Sequence, residues 1–214
     1  MRDIVLISDP RVTAISVEES GERLADVRGR LRVDRRMADP EGAFAHLREG
    51  LLVRLEGAQA HLPSGYRLLV VEGYRPLAMQ QRIFEEYSAE LRVTFPKMSP
   101  EEIYVAASRY VSPIEVAPHT AGAAVDLTLC TEDGDELDMG SPLNATPEQS
   151  GGACYTDARG LSSEARHHRD LLGGALGSAG LVNYPTEWWH WSYGDRYWAM
   201  ATGAVSAVYG PTSV

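Results

Sequence analysis

Cysteine is scarce in this chain: two residues, Cys130 and Cys154, among 214. Neither belongs to a Cys-x-x-Cys pair, so no disulfide framework and no thiolate metal site is expected, and two reduced thiols are the simplest reading. Basic charge is scarce too. Twenty Lys+Arg against 30 Asp+Glu leave a formal charge of −10 and a pI near 5.1, without the positive footprint that nucleic acid or an anionic membrane demands. No stretch approaches the roughly 20 apolar residues of a membrane span. Near the N-terminus the apolar run Ile4 to Ile7 stops at Asp9-Pro10, too short for a signal-peptide core. Internal repeats and low-complexity segments are absent. The expectation is a cytoplasmic protein with neither nucleic acid nor membrane as partner.

Hydrophobic residues at 44% with 23% charged suffice for a sizeable core, and the length suits a single domain over 1–214 with a long loop at about 131–161. Asp39-Pro40-Glu41 reads as a helix start. Phe44, Leu47, Leu51, Leu55, Ala58 and Leu62 follow at spacings of three and four, one apolar face that ends at Pro63-Ser64-Gly65. Tyr66 to Glu72 predicts a buried strand stopped by Gly73. Pro76 opens a second helix to about Leu91. Ser99-Pro100-Glu101-Glu102 is a capping box for a third, to about Val111. Val125 to Leu129 predicts a strand, and Ser162 or Ser163 caps a last long helix to about Gly180. Glu187 to Tyr193 has the aromatic bulk of another strand. The arginines between Arg28 and Arg36 read as a solvated surface. The order of elements gives an α+β fold, a largely antiparallel sheet with helices packed around it and a metal site at the sheet.

Two segments carry chemistry: Pro118-His119 through Asp126, and Thr186-Glu187-Trp188-Trp189-His190-Trp191. His119, Asp126 and His190 offer two imidazoles and a carboxylate, and three such ligands leave a fourth position open, as catalytic zinc sites do. Glu187 stands beside them, placed to take a proton from water at the ion. In a regular strand Glu187 and His190 face opposite sides, so a bulge or bend is required to bring them together. His46, His61, His167 and His168 read as surface groups. The acidic run Glu132, Asp133, Asp135, Glu136 and Asp138 lacks the spacing of a calcium loop.

Gly73-Tyr74-Arg75-Pro76, then His119-x6-Asp126-Leu127-Thr128-Leu129, then Met139-Gly140-Ser141, then Glu187-Trp188-Trp189-His190 occur in that order. The set resembles the D-alanyl-D-alanine dipeptidases, the VanX-like zinc metallopeptidases related to the zinc D,D-carboxypeptidases, over nearly the whole chain. The resemblance implies one Zn2+ per chain on His119, Asp126 and His190, with Glu187 as general base and Arg75 stabilising the oxyanion. It implies substrate contacts at Tyr74, Ala117, Ser141, Asn144 and Trp189, and a small dipeptide or amide as substrate. The family usually has Ser where this chain has Ala117, and Asp where it has Asn144. Both positions are where the family is expected to grip a free ammonium, so the reading is a D-Ala-D-Ala dipeptidase-like enzyme with altered recognition of the substrate's amino terminus. The alternatives are a peptidoglycan D,D-carboxypeptidase or endopeptidase, or a non-catalytic zinc-binding protein. The same ligand set also suits iron or cobalt.

Overall fold

The computed structural model describes residues 4–213. A five-stranded sheet organises the chain, in the order β2 (Arg32–Val33), β4 (Tyr66–Glu72), β5 (Ala124–Thr131), β7 (His190–Ser192) and β6 (Val182–Asn183). Only the β2–β4 pair is parallel, so the sheet is largely antiparallel, as expected. A second, two-stranded sheet pairs β1 (Leu24–Asp26) with β3 (His46–Arg48). No helix among the described residues is long and apolar enough to cross a membrane.

Alternation along the strands explains the two faces. Val125, Leu127 and Leu129 point one way, beside Leu68 and Val70 of β4, and are fully buried. They pack on Leu51, Leu52 and Leu55 of α2 (Glu49–His61) and on Leu172 and Leu176 of α6 (Ser163–Ser178). Asp126 alternates to the opposite face, toward α3 (Leu77–Thr94) and α4 (Pro100–Ala107), which share a small core of Leu91, Ile103 and Ala107. Burying about ten such side chains at 1.5–3 kcal/mol each supplies the driving force for the sheet–helix layer.

The strand over Tyr66–Glu72 and the Ser162-capped helix lie where the sequence puts them. The long helix predicted from Asp39 does not. Asp39 does cap backbone amides, accepting from Glu41, Ala43 and Phe44, but a short 3-10 turn (Ala43–Ala45) and β3 follow before α2 begins at Glu49. Non-local bonds win there: the carbonyls of Phe44 and His46 accept from Gly73 and Tyr74 at 2.6 and 2.7 Å, which a continuous helix would forbid. The helix opened by Ser99 ends at Ala107 rather than Val111. The strand expected from Glu187 begins only at His190. Three helices were not foreseen: α1 (Pro10–Thr13), capped by Asp9, α5 (Pro147–Ser150) inside the long loop, and α7 (Arg196–Thr202), capped by Asp195. Cys130 and Cys154 are buried free thiols.

The loop between Thr131 and Leu161 is held down rather than loose. Arg169 of α6, buried, donates to the carbonyls of Met139, Ala153 and Tyr155 at 2.7 Å each. His168, expected at the surface, is instead buried, and its Nδ1 donates to the Asp138 carbonyl at 2.7 Å. Among the described residues no carboxylate pairs with the Arg169 guanidinium; burial first, then the neighbouring Arg166 charge, pull its pKa down to about 10, and the carbonyl dipoles offset that cost. Replacing Arg169 by Met strands those carbonyls, and urea unfolding is expected to show a loss of about 3 kcal/mol or more. Arg28→Ala, which breaks a half-exposed pair with Asp26, is expected to stay within about 0.5 kcal/mol in the same assay.

Candidate active site

One row across the sheet builds the site. Glu72 of β4 pairs with Asp126 of β5, and Asp126 pairs with His190 of β7. Directly opposed residues share a face, so the three side chains stand side by side. The row depends on a register shift between Val70 and Glu72. Continuing from the Val70–Leu127 pair without it would set Val71 against Asp126. The extra residue drops Val71 out of the row and puts a carboxylate in its place.

His119 comes from a 3-10 turn (Pro118–Ala121) just before β5, closed by Gly122 at φ +63°. A Cβ on Gly122 would lie 2.3 Å from Leu24 Cδ2, so both backbone conformation and space call for glycine. Arg48 holds this turn from beneath, donating from Nε to the Ala121 carbonyl at 2.8 Å. His119 Nδ1 donates to the Gly73 carbonyl at 2.7 Å. That bond fixes the tautomer and leaves the Nε2 lone pair facing the row.

Glu187 and His190 meet through a turn. The His190 amide bonds the Glu187 carbonyl at 3.2 Å, which brings Glu187 Oε2 to 3.8 Å from His190 Nδ1. The bend that alternation required is therefore present, immediately before β7.

The donor atoms fit a metal ion. His119 Nε2, His190 Nδ1 and Asp126 Oδ1 are separated by 3.2, 3.0 and 3.4 Å. Tetrahedral coordination with metal–ligand bonds of 2.0–2.1 Å places donors about 3.3 Å apart along each edge. All three residues are buried and together form a candidate metal group. Two imidazoles and a carboxylate turned on one point form a donor set that a divalent cation would fit. Burial alone would raise the Asp126 carboxyl, yet His119 and His190 hold it far below its usual range. Burial would lower His119, yet Asp126 raises it.

Arg75 follows Glu72 by one turn of chain and folds back on it. Its Nε and NH2 reach both Glu72 carboxylate oxygens at 2.7 and 2.6 Å, and NH1 donates to Gln80 Oε1 at 2.8 Å. Burial opposes its charge, but Glu72 outweighs that, with Asp126 and Glu187 adding to it, so the guanidinium stays protonated. Glu187 behaves oppositely. Burial, then the Asp126 charge, push its carboxyl well above the usual range, and Arg75 only partly counters them.

A cavity of about 360 Å³ opens over this row, within the size range of small-ligand sites. Arg75, His119, Asp126, Glu187 and His190 line it, as do Asn144 and Trp189. The other expected substrate contacts lie elsewhere. Tyr74 is buried with its hydroxyl donating to the Thr212 carbonyl at 2.8 Å. Ala117 borders a separate small pocket with Val17 and Glu115. Ser141 Oγ accepts from Trp188 Nε1 at 3.0 Å, supporting a tryptophan that faces the core while Trp189 faces the cavity. Glu72, Gln80, Met37, Ile83 and Tyr110 belong to the site and were not foreseen. Of these only Glu72 left a trace in the sequence, as an acid three residues before Arg75.

A metal-type donor set, a carboxylate at its side and a fixed cation define a metallohydrolase site. The Peptidase_M15 family model, described as D-ala-D-ala dipeptidase, matches residues 33–205, and the chain belongs to that family of peptidases. It is 32% identical over 186 residues to the D-alanyl-D-alanine dipeptidase of Synechocystis sp. (strain ATCC 27184 / PCC 6803 / Kazusa), covering 76% of this chain and 75% of that protein. It is 28% identical over 127 residues to the D-alanyl-D-alanine dipeptidase of Escherichia coli (strain K12), covering 59% and 55%. Among solved structures it is similar to a mutant VanY D,D-pentapeptidase from a VanB-type vancomycin resistance cassette in complex with Zn(II), at 15% identity and a TM-score of 0.47 over 96% of this chain and 94% of that one. VanYB in complex with D-Alanine-D-Alanine gives 16% and 0.49 over 94% and 92%.

Gly73 ties the site to the fold. A Cβ there would lie 2.4 Å from the His46 carbonyl oxygen, so Gly73→Ala must displace the carbonyl that orients His119. The variant is expected to bind cobalt or zinc at least tenfold more weakly in a chelator competition, and to lose about 1–3 kcal/mol in urea unfolding.

Proposed function

We propose that this chain is a zinc-dependent hydrolase of a small peptide or amide, dipeptidase-like in its chemistry, with one zinc ion on His119, Asp126 and His190. The observation that carries the reading is the coincidence of three donors at tetrahedral spacing with Glu187 and Arg75 in one cavity. The relatives named as D-alanyl-D-alanine dipeptidases make D-Ala-D-Ala the reference substrate. A metal-binding protein without catalysis would need neither Glu187 nor Arg75.

Bound zinc supplies Lewis acidity, polarising the scissile carbonyl and acidifying a water molecule. Glu187 takes the proton of that water and returns it to the departing amine. Of the five N–H donors of Arg75, three are committed to Glu72 and Gln80. The remaining two are free to meet the oxyanion, a contribution of about 3–4 kcal/mol.

Recognition of the amino end differs from the chemistry. The carboxylates lining the cavity are Asp126 and Glu187, both engaged in the reaction. Asn144, neutral, stands in the wall where the family resemblance expects an acid. A free ammonium buried there would lack a charge partner, which favours a substrate whose amino end is acylated. The cavity volume suits a small peptide, and the cytoplasm is the proposed place of reaction.

Glu187→Gln is expected to retain stoichiometric zinc by metal analysis while kcat falls about 10²- to 10⁴-fold; loss of the metal with the activity would instead make Glu187 a ligand. Acetylated D-Ala-D-Ala is expected to be hydrolysed with a kcat/KM equal to or above that of the free dipeptide. Asn144→Asp should raise kcat/KM for the free dipeptide about tenfold or more, the worth of a charge-assisted hydrogen bond. A wild-type preference for the free dipeptide by an order of magnitude would refute the proposed selectivity.

A further inference from the structure

The turn that joins Glu187 to His190 is short and is anchored from its flanks: the Glu187 amide bonds the Tyr184 carbonyl at 2.9 Å, the Trp188 amide the Cys154 carbonyl at 3.0 Å, and the Tyr184 amide the His190 carbonyl at 3.0 Å. Its one internal bond, from the His190 amide to the Glu187 carbonyl, is long at 3.2 Å. The carbonyls at its two ends are also bridged by a single side chain. Asn183 Nδ2 donates to the Glu187 carbonyl and to the His190 carbonyl, at 3.0 Å in each case. Asn183 ends the edge strand β6 and pairs with Trp191 of β7, so the sheet itself sets where its amide sits. On the other side, Asn183 Oδ1 accepts from the Thr156 hydroxyl. Thr156 in turn bonds the Pro185 carbonyl through its own amide at 3.1 Å, and its carbonyl accepts from Arg166 at 3.1 Å.

We infer that Asn183 is a positioning residue for the reaction, locking the Glu187–His190 turn so that the proton-transfer carboxylate and the metal-ligating imidazole share one orientation. The side-chain type is what the task needs. An amide nitrogen carries two N–H donors in one plane and can serve two carbonyls at once, while the amide oxygen remains to receive the hydroxyl. Aspartate has the same shape and no donor; it would set a negative charge against two carbonyl oxygens. Alanine would leave the Glu187 carbonyl to the His190 amide and the His190 carbonyl to the Tyr184 amide, with nothing tying the two together. Thr156 extends the lock into the long loop, which fixes the rotamer of Asn183 rather than touching the turn's functional groups. The inference rests on the reading of His190 as metal ligand and Glu187 as base, and it concerns how they are held, not what they do.

The test compares wild type with Asn183→Asp, Asn183→Ala and Thr156→Val in three measurements. Zinc affinity by chelator competition is expected to fall about 10- to 100-fold in Asn183→Asp, the usual scale for residues that orient metal ligands, less in Asn183→Ala, and two- to fivefold in Thr156→Val. On a dipeptide substrate at saturating zinc, kcat should drop at least tenfold in Asn183→Asp while KM changes less than threefold. Hydrogen exchange of the 184–190 segment in metal-free protein should quicken in both Asn183 variants, a readout that needs neither metal nor activity. A role in packing alone would be preserved by the isosteric aspartate. If Asn183→Asp matches wild type in zinc affinity, in kcat and in exchange, the inference is overturned while the enzyme assignment stands. If wild type itself neither binds zinc nor cleaves a dipeptide, the assignment fails, and exchange alone then decides whether Asn183 holds the turn.

Discussion

The rest of this structure depends on a line of two buried carboxylates and an imidazole laid across three neighbouring strands: Glu72, Asp126 and His190. Carboxylates with little or no access to water are costly unless cations and donors surround them. Each one here has a partner, local for Glu72 and distant in sequence for Asp126. Glu72 takes both edges of Arg75, and Asp126 faces two imidazoles. The same arrangement that makes the charges tolerable in the protein makes them useful, because it concentrates ligand lone pairs, a proton acceptor and a fixed cation within one cavity. A one-residue bulge sets the line; removing it would put Val71 where Glu72 belongs.

Arginine does two different jobs in holding this arrangement. Arg75 balances charge. Arg48 and Arg169 organise backbone. Arg48 gathers the Ala121, Glu22 and Gly210 carbonyls, joining the His119 turn to the chain's beginning and end. Arg169 gathers carbonyls of the long loop. Guanidinium suits this work because its donors diverge in a rigid plane, so one side chain satisfies several carbonyls that no regular ladder reaches. The loop's position is thereby tied to α6, and through Thr156 and Asn183 to the turn bearing Glu187.

Chemistry and selection come from different layers. The reacting groups sit on the sheet and the tight turns beside it, where register and hydrogen bonds fix them. The rest of the cavity wall is drawn from less regular segments: Met37 from an early loop, Ile83 from α3, Tyr110 from beyond α4, and Asn144 from the long loop. Asn144 has a left-handed backbone, φ +65°, the sole non-glycine residue so placed among the described residues, and Tyr110 donates its hydroxyl to the Asn144 carbonyl. The cavity wall can therefore vary at such positions while the metal-type donor set stays intact.

The sequence alone was enough for what depends on residue type and local order. His119, Asp126, His190 and Glu187 stand out by residue type as candidates for the proposed site, and the strand over Tyr66–Glu72 and the helix capped by Ser162 follow from short-range pattern and capping. Tertiary structure decided what depends on partners distant in sequence. The carbonyls of Phe44 and His46 are claimed by Gly73 and Tyr74, which breaks a helix that periodicity alone would continue. Glu72 enters the site through a register shift that no spacing reveals, and Tyr74 and Ser141 turn to structural bonds although their motifs set them beside functional residues. Pattern within a segment reports which groups the chain offers; only the pairing of segments fixes which of them face one another.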